Sequence, residues 1–90
     1  MNGRIEGFIW PGWLLNKITV QHGVELDEVE AVFFNAPAIV RKSSTGKYLL
    51  YGQADNGRYL LLVFMWVGRQ VKIFAARDMT QRERRYLRGK

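Results

Sequence analysis

Ninety residues with no cysteine and a formal net charge of +6 admit one domain and exclude disulfide staples and thiolate metal sites. An apolar content of 48% excludes a disordered chain, and the longest apolar run, Tyr59 to Val67, is too short to span a bilayer. The charge is unevenly spread, net −3 over residues 1–37 and net +9 over residues 38–90. A half so basic attracts polyanions, of which nucleic acid is the commonest. Lack of cysteine fits a reducing, cytoplasmic setting. The N-terminus has no basic region followed by a long apolar run, so no signal peptide is expected.

In chain order, Phe8-Ile9-Trp10 reads as a short strand ended by Pro11-Gly12. Trp13, Leu14, Lys17, Ile18 and Gln21 recur at helical spacing, with a glycine stop at Gly23. A second helix is expected from about Leu26 to Phe34. Val29, Val32 and Phe33 share one face, and Glu25, Asp27, Glu28 and Glu30 crowd the end where the helix dipole favours carboxylates. Asn35-Ala36-Pro37 breaks it.

From Ala38 the period becomes that of strands. Ala38 to Lys42, Lys47 to Ala54, Arg58 to Val67 and Val71 to Ala76 are separated by turn segments, including the hairpin signal Asp55-Asn56-Gly57. The nearly all-apolar third of these suits a central strand. In the last, Val71, Ile73 and Ala75 should share one face and Lys72, Phe74 and Ala76 the other. Short connections imply an antiparallel meander. Thr80-Gln81-Arg82-Glu83 matches the capping box of a closing helix, whose narrow apolar patch (Tyr86, Leu87) suggests a place on the sheet's edge or end. The expected fold is α+β: N-terminal helices packed on a four-stranded antiparallel sheet, with a short C-terminal helix. Its uncovered sheet face is expected to meet a partner or a second copy of the chain.

His22, the only histidine, reads as a helix C-terminal residue beside the glycine stop or as a general base. No metal-ligand spacing, phosphate-binding glycine loop or nucleophile elbow occurs, so no metal or other cofactor is expected. Glu83, among arginines, reads either as half of the capping box or as a functional carboxylate. The basic set runs through Arg41, Lys42, Lys47, Arg58, Arg69, Lys72, Arg77, Arg82, Arg84, Arg85 and Arg88. Arginine's planar fork suits phosphate. Tyr48, Tyr51, Tyr59 and Tyr86 lie near these residues and could stack unpaired bases or simply pack the sheet. On residues alone, a nucleic-acid-binding module and a protein-interaction module both remain open.

The order of motifs resembles the BrnT toxin family. The resemblance runs through Trp10-Pro11-Gly12-Trp13, His22-Gly23-Val24, Asp27-Glu28-Val29-Glu30, Gly46-Lys47-Tyr48, Tyr51-Gly52-Gln53 and Gly57-Arg58-Tyr59. Its most specific part is Phe74-Ala75-Ala76-Arg77-Asp78-Met79-Thr80, followed by Glu83-Arg84-Arg85-Tyr86. The resemblance implies a RelE-like ribonuclease toxin of a type II toxin–antitoxin pair, which inhibits translation by cutting RNA without a metal and is neutralised by a cognate antitoxin protein. In that chemistry the RNA's own 2′-hydroxyl attacks phosphorus, so the protein needs only to orient, neutralise charge and move protons. The resemblance and the position at the end of the last strand together point to Arg77 as the ligand of the transition-state phosphate. Lys47, Arg58, Arg82, Arg84 and Arg85 are then the RNA phosphate contacts, and Glu83, Tyr86 and His22 the proton-transfer candidates.

Overall fold

The computed structural model describes residues 5–21 and 23–89. The strands are β1 (Gly7–Ile9), β2 (Ile39–Lys42), β3 (Tyr48–Gln53), β4 (Tyr59–Val67) and β5 (Gln70–Asp78); the helices are α1 (Gly12–Asn16), α2 (Leu26–Val32) and α3 (Gln81–Arg88). α1 continues directly into a π-helical segment, Lys17–Gln21. No helix among the described residues is long and apolar enough to cross a membrane.

The sheet corrects the four-stranded antiparallel expectation. It has five strands in the order β1-β5-β4-β3-β2, and β1 lies parallel to β5 through Gly7↔Gln70, Phe8↔Val71 and Ile9↔Lys72. The antiparallel meander itself, β2 to β5, is present with β4 central. A parallel pair needs a long crossover, and here residues 10–69 lie between the two strands. No local signal could therefore announce it. α2 stops two residues short of the expected Phe34, because Phe33 and Phe34 donate to Glu30 and Ala31 in a tighter final turn.

One face of the sheet carries the main core. Leu60, Leu62 and Phe64 of β4 point to it together with Leu50, Val71 and Ile73, beneath Leu14, Ile18, Val29 and Val32 of the N-terminal helices. Phe33 packs edge-on against Phe8 and Phe64, at centroid distances of 5.3 and 5.0 Å. α2 comes so close to β3 that a Cβ on Gly52 would lie 2.6 Å from Val32 Cγ1. Gly57, at φ +90°, closes the β3–β4 hairpin in the left-handed region that favours glycine.

The second face is not left bare along its whole length, contrary to the expectation. α3 folds over one end of it, not along the sheet's edge, and Leu87 and Met79 bury Leu61 and Tyr51. Val63, Met65 and Phe74 remain half-exposed beyond the helix.

β5 holds the feature that aims the site. Val63 pairs with Ala75 and Phe64 with Ile73, leaving Phe74 as an unpaired extra residue. Such a bulge shifts the alternation by one position. The expected faces of β5 are therefore corrected. Ala76 joins Val71 and Ile73 in the main core, while Ala75 and Arg77 turn to the second face. β5 also runs two residues past the expected stop at Ala76, so Arg77 and Asp78 belong to the strand.

Candidate active site

Arg77 sits at the C-terminal end of β5, in register with Leu61, which pairs in turn with Tyr51. This row runs across the second face directly under α3. α3 starts immediately afterwards with the capping box expected from the sequence. The Glu83 N–H donates to Thr80 Oγ1 at 3.2 Å, and the Thr80 N–H donates to Glu83 Oε1 at 2.9 Å. The same Glu83 carboxylate receives Arg77 end-on, Nη1 to Oε1 at 2.9 Å and Nη2 to Oε2 at 2.8 Å. Arg77 Nη1 also donates to the Asp78 carbonyl at 2.9 Å. The capping box and the ion pair with Arg77 thus meet in one carboxylate.

The electrostatics follow from this fork. The Arg77 guanidinium holds the Glu83 carboxyl below its ordinary value, with the Thr80 N–H assisting against partial burial. Glu83 in turn holds Arg77 protonated more firmly than an isolated arginine. Glu83 is the more enclosed partner, with 20% of its side chain exposed against 43% for Arg77. The cation therefore keeps part of its surface open to a ligand while the anion fixes both of its terminal nitrogens.

Around the pair lie aromatic rings and further cations. Tyr86 meets Tyr51 edge to face at 5.2 Å. The Arg41 guanidinium stands 5.7 Å from the Tyr86 ring centroid, and that of Arg84 stands 5.1 Å from the Tyr59 centroid. A cleft of about 160 Å³ opens beside Arg77, where the N-terminal helical segment meets the edge of β5, and Lys17 reaches its rim opposite Leu61 and Val63.

The sequence-nominated residues separate by place. Arg77, Glu83 and Tyr86 come together at the β5–α3 junction. Arg82, Arg84 and Arg85 are exposed on α3, and Lys47 lies farther along the same sheet face, its ammonium 4.8 Å from the Phe74 ring. Arg58 lies elsewhere. It grips Asp78 through Nε at 2.6 Å and Nη2 at 2.9 Å, donates to the Gly23 carbonyl at 2.7 Å, and reaches Glu28 at 3.4 Å. That network sits on the helix-covered side and ties α2 to the end of β5. In it burial pushes Glu28 upward, but the Glu25 N–H, Asn56 and Arg58 outweigh burial and lower it overall. His22 lies outside the described residues. Among the described residues no group of three or more His, Cys, Asp or Glu side chains is placed to hold a metal ion.

Sequence reasoning did not nominate Lys17 or Phe74, and it named Tyr51 only among the tyrosines. Lys17 follows Leu14 by three positions at helical spacing, which was a usable signal. Tyr51 needed the strand register, and Phe74 needed the lysines that gather at its ring.

The profile of a family described as the ribonuclease toxin BrnT of type II toxin–antitoxin systems matches residues 16–83. That span includes Lys47, Arg58, Arg77 and Glu83. No curated protein matches the chain. Among solved structures, the crystal structure of the Brucella abortus ribonuclease toxin BrnT superposes with a TM-score of 0.68 at 17% identity, covering 83% of this chain and 97% of that one. At that identity the likeness shows a shared fold.

Proposed function

The chain belongs to the BrnT family of ribonuclease toxins of type II toxin–antitoxin systems, and from that premise we propose that it cuts RNA at the β5–α3 junction, with Arg77 as the ligand of the reacting phosphate. Membership brings RNA as the substrate and a cognate antitoxin protein as the partner. The observation that carries the site assignment is the forked Arg77–Glu83 pair, a fixed guanidinium that stays part-exposed on a sheet face rich in cations.

The 2′-oxygen of one nucleotide attacks the adjacent phosphorus. The O2′–P bond forms as the P–O5′ bond breaks, leaving a 2′,3′-cyclic phosphate and a 5′-hydroxyl. Charge builds on the non-bridging oxygens, and a preorganised guanidinium stabilises it without reorganising at the moment of reaction. Glu83 fixes the orientation of Arg77 and, ionised, is the acceptor for the 2′-hydroxyl proton once phosphate shares the guanidinium. Tyr86 stands on the same helix, one turn on, and serves as the donor to the departing O5′. Arg82, Arg84 and Arg85 extend the positive surface along α3. Arg58, already committed to Asp78 and Glu28, holds the fold in place of gripping RNA.

This chemistry needs no metal. Purified protein with excess chelator should convert RNA to fragments ending in 2′,3′-cyclic phosphate. Cleavage that stops on chelation, or that yields 3′-hydroxyl ends, contradicts the reading.

A further inference from the structure

Beyond α3, the second sheet face carries a group that the cleavage chemistry does not use. Alternation from the core residues Val71 and Ile73 puts Phe74 on this face, and the bulge leaves it unpaired with β4. The Lys47 ammonium lies 4.8 Å and the Lys72 ammonium 5.5 Å from its ring centroid. Neither lysine forms an ion pair among the described residues, whose salt bridges run through Arg58, Arg69 and Arg77. Two like charges gathered over one ring repel each other unless an anion sits between them. The ring itself is half-exposed, flanked by Met65 and Lys72.

We propose that Phe74, Lys47 and Lys72 form a nucleotide subsite, the lysines taking a phosphate and the ring taking an unpaired base, so that RNA enters as a single strand. The inference rests on the cleavage reading given above and deepens it by naming the form of RNA that the face accepts. Ammoniums on flexible stems can swing off the ring to a phosphate, clearing it for a base. Stacking of this kind needs a free base face, which a duplex hides. Phe74 precedes Arg77 by three strand residues, roughly 10 Å along β5. That is close enough for neighbouring nucleotides of one strand to occupy both places. The subsite would then set which phosphate reaches Arg77.

The test uses a labelled 2′-O-methyl oligouridylate, which lacks the attacking hydroxyl, and a fully paired RNA of equal length. Phe74→Leu should weaken single-strand binding about ten-fold and leave paired RNA unaffected, while Phe74→Tyr should restore it. Replacing both lysines by glutamine should flatten the salt dependence of log K by about 0.7, the share of one phosphate on a single strand. Melting temperatures identify any variant that fails to fold, and the lysine pair then decides. Unchanged single-strand affinity in folded variants overturns the subsite, and so does an equal loss for paired RNA. Loss of antitoxin binding with RNA binding intact also overturns it, because the face would then belong to the protein partner. If the unaltered protein cleaves RNA, such failures touch the subsite alone; if it neither binds nor cleaves RNA, the cleavage reading falls too.

Discussion

Glu83 carries two duties in one carboxylate, and acid should separate them. Its ordinary value is near 4.5, and Arg77 lowers it in the fold. The stability that this pair contributes is therefore complete above about pH 4.5 and is lost as pH falls through the folded value. In Glu83→Gln the amide oxygen can still accept the Thr80 N–H, but the charge is gone. On acidification below about pH 4.5 its melting temperature should fall less than that of the wild type. Glu28, also lowered, titrates in both proteins, so the difference isolates Glu83. Parallel acid profiles would remove the ion pair from the account. The capping box was legible in Thr80-Gln81-Arg82-Glu83, whereas the Arg77 contact was not, because it joins a strand to a helix across a turn. Arg58 shows the converse case. The resemblance and its residue type put it with the phosphate contacts, while strand alternation from Leu60 and Leu62 places it on the helix-covered side. Arg58→Met should lower stability by about 1 kcal/mol, discounted for the exposure of Asp78, and leave RNA affinity unchanged. A fall in RNA affinity as steep as that of an α3 arginine variant would return Arg58 to the binding surface.

At the scale of elements, the contact between α2 and β3 and the bulge on β5 decide where the site faces. Gly52 lets α2 settle onto β3, and the methyl of Gly52→Ala would meet Val32 Cγ1 at 2.6 Å. That substitution should cost about 1–3 kcal/mol, read as a fall in the denaturation midpoint; an unchanged midpoint would mean that α2 does not press on the sheet there. No local pattern marks Gly52 as a close approach, because that depends on which helix covers which strand. The bulge was hidden for a different reason. Val71 to Ala76 alternates well as an unbroken strand, and only the pairing of Ala75 with Val63 exposes the extra residue. Without that shift Arg77 would keep phase with Val71 and Ile73 and turn toward the helices.

Over the whole molecule, the acidic N-terminal part supplies most of the cover for one sheet face and the basic C-terminal part supplies the other. Charge asymmetry, the meander and the closing helix were readable from local patterns. The parallel β1 and the placement of α3 on a face were not, since the first joins segments far apart in the chain and the second depends on contacts with Tyr51 and Leu61 of the middle strands. α3 completes the second core through Leu87 and Met79 and brings Glu83 to Arg77, so the proposed chemistry lies where that core closes. The central claim is that this junction cuts RNA through Arg77. The most direct test compares RNA cleavage, with chelator present, by the wild type, Arg77→Ala and Arg77→Lys, each shown to be folded by its melting curve. The account predicts a loss of about a hundred-fold or more for alanine and little rescue by lysine, which lacks the planar fork. Undiminished cleavage by folded Arg77→Ala would contradict it.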